Sequence, residues 1–332
     1  MPVLISLLPV FVFLVALIGL DTYKLIKPHR VLIAVAYGCA AAGLCYFINR
    51  FLMAELGLQV ALFTRYVGPG VEEVAKAAFV IVLIARHKLG FPVDASIAGF
   101  SVGAGFAAIE NMYYLGALGD VGLGIWFVRG FGTAVMHGGT TAVLAIITLH
   151  MIQRRNWNII PAAAAGLVIA YALHSGFNHF PLRPVPMTLL QLAVLPAVVA
   201  VMFQRSENYT QEWLGTGFDT DQELLKYLTR SGITDTRVGD YLDSLREQFA
   251  GQVVADMLCY LRIHIELSIK AKGTLLMSKS GFKVTPDATL KRKFNELEYL
   301  KKSIGRTGIL ALAPFIHTSS RDLWQIHFVK QD

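Results

Sequence analysis

The chain has 332 residues, 55% of them hydrophobic and 16% charged, with a net charge of +7 and a mean hydropathy of +0.52. This is too apolar for an ordinary soluble domain and points to an all-α polytopic membrane helix bundle. Residues 1–203 carry 12 Lys+Arg against 7 Asp+Glu in a very apolar background, whereas residues 204–332 carry 18 and 16. The expected organisation is a transmembrane domain over 1–203 followed by a soluble helical domain over 204–332. The basic balance belongs to loops beside the membrane, and no nucleic-acid-binding motif is present.

Residues 3–20 form the first apolar run. A cleaved signal peptide has basic residues ahead of such a run, and here none precedes Lys24, so an uncleaved first span is expected. Further spans are expected at 31–48, 70–86, 93–115, 125–152, 158–180 and 186–203, each close to the roughly 20 residues that cross a bilayer. That makes about seven. Residues 51–69, with glycines flanking Pro69, read as a short interfacial helix before the third span.

Lys24, Lys27, Arg30, Arg86, Lys88, Arg154 and Arg155 fall in the first, third and fifth connections, and only Arg50, Arg65 and Arg183 in the others. The positive-inside rule then places the N-terminus outside and the C-terminus in the cytoplasm of a cell (inner) membrane. Cys39, Cys45 and Cys259 form no CxxC, so neither a disulfide framework nor a thiolate metal site is expected. In the tail, residues 224–230, 240–249 and 253–272 carry helical periodicity, with turns expected at 232–235 and 284–287.

The polar residues inside the spans carry the chemistry. A charged residue at the bilayer centre costs about 2.5–3.5 kcal/mol on insertion scales, so those retained there mark function by default. The third span begins with Glu72, Glu73 and Lys76; the fourth ends with Glu110 and Asn111; the fifth carries Arg129 and then His137; the sixth carries His174 and Asn178 at i, i+4. With the orientation above, most of these lie within roughly 5–15 Å of the outer surface at 1.5 Å per residue. Four separate segments converging on one depth is what a wet site in the outer leaflet requires. Plainer roles compete: Lys76 as a neutralising partner, Asn178 as a helix–helix hydrogen bond, Asp94 as a helix cap, and glycines 99, 103 and 105 as packing positions.

A carboxylate beside a histidine can hold and deprotonate a water, and a second histidine and an amide can steady an oxyanion. Alternatively, Glu73, Glu110, His137 and His174 could bind Zn²⁺. HExxH is absent, and the sequence leaves the zinc and metal-free versions open. An ion- or proton-coupled transporter also uses intramembrane carboxylates, but no internal repeat is visible in the spans. A catalytically silent scaffold is the third reading.

EExxK at 72–76, FxxxEN at 106–111, a histidine following an arginine in the fifth span, and HxxxN at 174–178 together resemble the PrsW family of intramembrane proteases. That family is similar to the type II CAAX prenyl endopeptidases. The resemblance covers about residues 30–203. It implies a peptidase that cleaves a membrane-anchored protein near its extracytoplasmic face, such as an anti-sigma factor, to start regulated proteolysis. It implies Glu72 and Glu73 as the catalytic pair, Glu110 as a second acid, and His137 and His174 as the imidazoles. Lys76, Asn111, Arg129 and Asn178 are then supporting residues. The tail lies outside the likeness; its amphipathic helices suit a cytoplasmic partner or dimerisation.

Overall fold

The computed structural model describes residues 1–21, 23, 25–118, 121–155, 157–229, 237–282 and 288–316, and these contain helices and no strands. Lys24 and the two turns expected at 232–235 and 284–287 lie outside the described residues. By internal packing the chain divides into two units, Met1–Glu207 and Asn208–Asp332.

In the first unit the helices are α1 (Pro2–Gly19), α2 (Pro28–Leu56), the single turn α3 (Val60–Leu62), α4 (Gly68–Ala85), α5 (Pro92–Ala117), α6 (Leu123–Phe127), α7 (Ala134–Arg155) and α8 (Ile159–Asn178). α9 (Pro184–Thr229) contains the boundary between the units. Among the described residues, five helical stretches are long and apolar enough to cross a membrane: α1, α2, α5, the run Leu123–Arg155 and α8. The protein is therefore a multi-pass helical membrane bundle. The other two expected segments are helical as well. α4 has 18 residues but carries Glu72, Glu73 and Lys76 among them, and α9 opens with a shorter apolar stretch, Pro184–Leu195.

α5 is the centre of the unit, packing against α1, α2 and α7, with its side chains buried without interruption from Val93 to Ala108. Small residues make this possible. A Cβ on Gly103 would collide with the His137 carbonyl of α7, and one on Gly105 with the Val35 carbonyl of α2. Close backbone approach by small residues is the usual means of packing membrane helices, because lipid offers no hydrophobic drive between them. Asp94, the third residue of α5, reaches back to cap the helix start, accepting the N–H groups of Gly90 and Phe91 at 2.9 Å each. The outward side chains are apolar, among them Leu4, Leu8 and Val15 on α1 and Val168 and Leu173 on α8, as a lipid-facing surface demands.

Residues 51–69 do not form one short helix. α2 continues to Leu56, Gly57 ends it in the left-handed region at φ 57°, and Phe63–Val67 make a π-helical turn running into α4. A second π-helical turn, Val128–Thr133, joins α6 to α7. Such turns disturb the regular i→i−4 ladder, and side chains from other helices bond to carbonyls there. Ser175 Oγ donates to the Arg65 carbonyl at 2.6 Å and Asn178 Nδ2 to that of Thr64 at 2.9 Å. Gln191 Nε2 donates to the Gly132 carbonyl at 2.9 Å. Both π turns lie immediately before helices that carry the candidate site.

In the second unit, α10 (Arg237–Ser244), α11 (Gly251–Lys279) and α12 (Ala288–Ala311) share a core that includes Leu242, Met257, Leu261, Phe294, Leu297 and Ile304. Asp221 is buried there and accepts hydrogen bonds from Ser268 and Lys272.

Candidate active site

Four helices bring five chemically active side chains together. Glu72 and Glu73 enter from α4, Glu110 from α5, His137 from α7 and His174 from α8. Being adjacent on one helix, Glu72 and Glu73 point in different directions, and their surroundings differ accordingly.

Glu73 is fully buried. Its Oε1 accepts from Lys76 Nζ at 2.6 Å, from His174 Nδ1 at 2.8 Å and from Thr140 Oγ1 at 3.1 Å. Lys76, one turn along α4 and equally buried, also donates to His137 Nδ1 at 3.1 Å and lies 5.1 Å from the centre of the Phe106 ring. The expected neutralising role of Lys76 is thus real, and the same ammonium also fixes an imidazole.

The partners set the tautomers. An ammonium can only donate, so His137 Nδ1 is the acceptor and Nε2–H donates to Glu110 Oε2 at 2.7 Å. His174 donates Nδ1–H to Glu73, which leaves its Nε2 facing Glu72 Oε2 at 3.8 Å, too far for a direct hydrogen bond. The two rings meet edge to face with centroids 4.8 Å apart.

Glu72 is held differently: its Oε1 accepts from the Asn49 amide of α2 at 3.2 Å. Glu110 turns its other oxygen, Oε1, to Arg129 at 3.2 Å. Arg129 in turn donates from Nε to Asn111 Oδ1 at 3.0 Å and lies 3.7 Å over the Tyr114 ring.

The candidate metal-ligand set is Glu72, His137 and His174, whose donor atoms all lie within 4.8 Å of one another. Glu73 and Glu110, expected in that set from the sequence, each sit behind an imidazole in the structure. One carboxylate with two imidazoles is a known zinc donor set, and carboxylates that orient ligating histidines are its usual support. The residues present therefore fit such an ion. His174 is ready for it through Nε2, while His137 would exchange one of its present partners.

Asn178 does not join the cluster, because it sits at the end of α8 and is taken up by Thr64 of the π turn. Asn111 and Arg129 reach the site only through Glu110. The residue that sequence reasoning missed is Asn49; its one signal is an amide in the last third of an apolar helix, beside Arg50, where it reads as an interfacial polar residue.

The family model described as PrsW family intramembrane metalloprotease matches residues 27–203. Neither the curated proteins nor the solved structures yield a match. The matched region holds all five active side chains and covers more than half of the chain. The chain belongs to the PrsW family and is an intramembrane protease.

Proposed function

We propose that this protein hydrolyses a peptide bond of a membrane-anchored protein near the extracytoplasmic face, with Glu72 and His174 holding the attacking water. The observation that carries this reading is the cluster of Glu72, His137 and His174 inside a multi-pass helical bundle, with a further carboxylate behind each imidazole.

Glu73 carries its charge against Lys76 and is saturated on one oxygen; Glu110 is tied to His137 and Arg129. Glu72 has only an amide for a hydrogen-bond partner among the contacts described above, and it faces the free nitrogen of His174. It is therefore the carboxylate available to a water. The water oxygen adds to the scissile carbonyl carbon as its proton passes to Glu72. The C–N bond then breaks, and a proton is delivered to the leaving nitrogen, so the products are one carboxyl and one amine terminus. Glu72 returns the proton it took to the leaving nitrogen; His137, whose Nδ1 accepts from Lys76 and whose Nε2–H is held by Glu110, would donate to the oxyanion only on releasing Glu110, which with Arg129 keeps its ring in place. A Zn²⁺ ion held by Glu72, His137 and His174 would polarise the carbonyl and activate the water.

The substrate class is a membrane-anchored regulator of the anti-sigma-factor kind. The arginine and lysine bias of the loops supports an N-terminus outside, a C-terminus in the cytoplasm and a location in the cell (inner) membrane. The domain beyond residue 203 is then cytoplasmic, where it would bind a partner or dimerise.

The test is cleavage of a tagged single-pass reporter by Glu72→Gln, Glu110→Gln, His137→Ala and His174→Ala, with insertion and unfolding checked in parallel. All four are expected to insert and fail to cleave. Retained cleavage in all four overturns the reading. Metal content of the purified wild type and of His174→Ala distinguishes the zinc form, which loses its ion in the variant, from the metal-free form, which has none to lose.

A further inference from the structure

A membrane-embedded substrate must unwind locally before its peptide bond can be reached. Unwinding frees backbone N–H groups that water cannot satisfy in the bilayer, and each costs several kcal/mol if left unpaired. An intramembrane protease therefore needs free acceptors beside its reacting groups. Among the described residues, two buried oxygens near this cluster have no hydrogen-bond partner: Glu73 Oε2 and Asn49 Oδ1. Glu73 is engaged by three donors on its other oxygen. Asn49 is neutral, comes from a different helix and touches Glu72 directly.

The ionised form of Glu72, which a general base requires, sets the orientation of the amide. A carboxylate accepts hydrogen bonds, so the Asn49 NH₂ must face Glu72 Oε1, and turning the amide over would set two acceptors against each other. Oδ1 is thereby left unpaired. A buried acceptor without a partner destabilises the folded state, which is an odd cost for a residue that only packs. The same position filled by an apolar side chain would avoid that cost and lose only the bond to Glu72.

We propose that Asn49 serves the reaction with both ends of its amide: Nδ2 positions Glu72, and Oδ1 receives a backbone N–H of the unwound substrate beside the scissile bond. The inference rests on the reading of Glu72 given above. It assigns a substrate contact to α2, a helix that none of the four sequence motifs includes in that role. It also makes the site selective for an extended peptide over a helical one, since only an extended segment presents a free N–H.

The experiment measures kcat and KM for the tagged single-pass reporter with wild type, Asn49→Leu, Asn49→Gln and Glu72→Gln, together with thermal unfolding of each in detergent. Asn49→Leu is expected to lower kcat roughly 10–100-fold, as loss of a positioning partner does, and to raise KM about tenfold, as loss of one hydrogen bond does. Its melting temperature should stay at or above that of wild type, because the unpaired acceptor has gone. Asn49→Gln, which keeps both ends of the amide, should recover most of the activity. Wild-type kcat and KM in Asn49→Leu, with Glu72→Gln inactive, overturn the inference and leave the protease reading standing. A fall in activity matched by a fall in folded protein, with kcat per folded molecule unchanged, also overturns it. An active Glu72→Gln removes the reading of Glu72 and this inference together.

Discussion

Asn111 of α5 donates from Nδ2 to the backbone carbonyl of Ser6 in α1 at 2.7 Å. α1 lies outside the region matched by the family, residues 27–203, yet this bond begins a relay that ends on the imidazole of His137. Asn111 Oδ1 accepts from Arg129, Arg129 pairs with Glu110, and Glu110 accepts from His137. α1 is shaped for the contact. Pro9 has no N–H, so the Ile5 carbonyl one turn earlier lacks its helical donor, and Gly130 of the π turn backs onto that carbonyl so tightly that a Cβ would not fit.

Asn111→Leu cuts the relay at its first link while leaving every group of the cluster in the chain. Arg129 then loses the acceptor for Nε and the Ser6 carbonyl loses its donor. A small displacement of His137 is enough to be costly, since misplacement by about 1 Å can cost as much as 100-fold in rate. The expected result is a fall in kcat of roughly 10–100-fold with KM near the wild-type value. Reporter cleavage over a range of substrate levels separates the two, and a change confined to KM would refute the relay.

Lys76 is the second pressure point. Lys76 and Glu73 are both fully buried and 2.6 Å apart. Removing one partner of a buried pair strands the other charge, at about 3–5 kcal/mol. Lys76→Met should therefore lose stability on that scale. Lys76→Met combined with Glu73→Gln removes both charges and should recover much of the stability, but no activity, because His174 then lacks its anionic acceptor and His137 its ammonium donor. Unfolding in detergent and reporter cleavage, measured on both variants, check the two halves.

Gly103 tests the packing that sets the distance between α5 and α7. Any side chain there meets the backbone of His137, and backbone cannot yield as a flexible side chain can. Gly103→Val is expected to destabilise by about 1–3 kcal/mol, the usual range for overpacking, and to impair cleavage by the protein that remains folded. Gly116→Ala is the control on the same helix, where an added Cβ meets nothing within 4 Å; it should unfold and cleave like wild type.

Much of this was legible in the sequence, and the reasons differ by residue. Glu72, Glu73, Lys76, Glu110, His137 and His174 stand out because charge and imidazole are expensive in apolar helices, so each announces itself one segment at a time. That Lys76 pairs with one of the two adjacent carboxylates follows from spacing, i, i+4 to Glu72 or i, i+3 to Glu73; that the partner is Glu73 comes from the structure. Which carboxylate meets which imidazole does not follow from spacing, because it depends on the rotation of four helices about their own axes. Asn178 shares a face with His174 by spacing, but the helix ends there, and the π turn at Phe63–Val67 offers it a carbonyl instead. Neither π turn has a local signature; both depend on distant donors such as Ser175 and Gln191. Asn49 was missed because its partner lies 23 positions away on another helix.

Away from the five apolar stretches long enough to cross a membrane, Glu266 of α11 gives the second unit a predictable pH dependence. Burial alone would raise its carboxyl pKa, but Lys293 Nζ at 2.7 Å and Arg262 Nε at 3.1 Å outweigh that and hold it below the ordinary 4.5. A carboxyl whose folded pKa is depressed contributes stability above its unfolded pKa and loses it as pH falls through the folded value. Wild type and Glu266→Gln should therefore differ in hydrogen-exchange protection along α11 and α12 at neutral pH, with wild type better protected. The difference should shrink as pH drops below 4.5 and vanish once both side chains are neutral. Added salt should narrow it at neutral pH too, because both partners are partly solvated. A gap that persists unchanged into acid would mean that the Gln variant loses packing, and not the ion pairs.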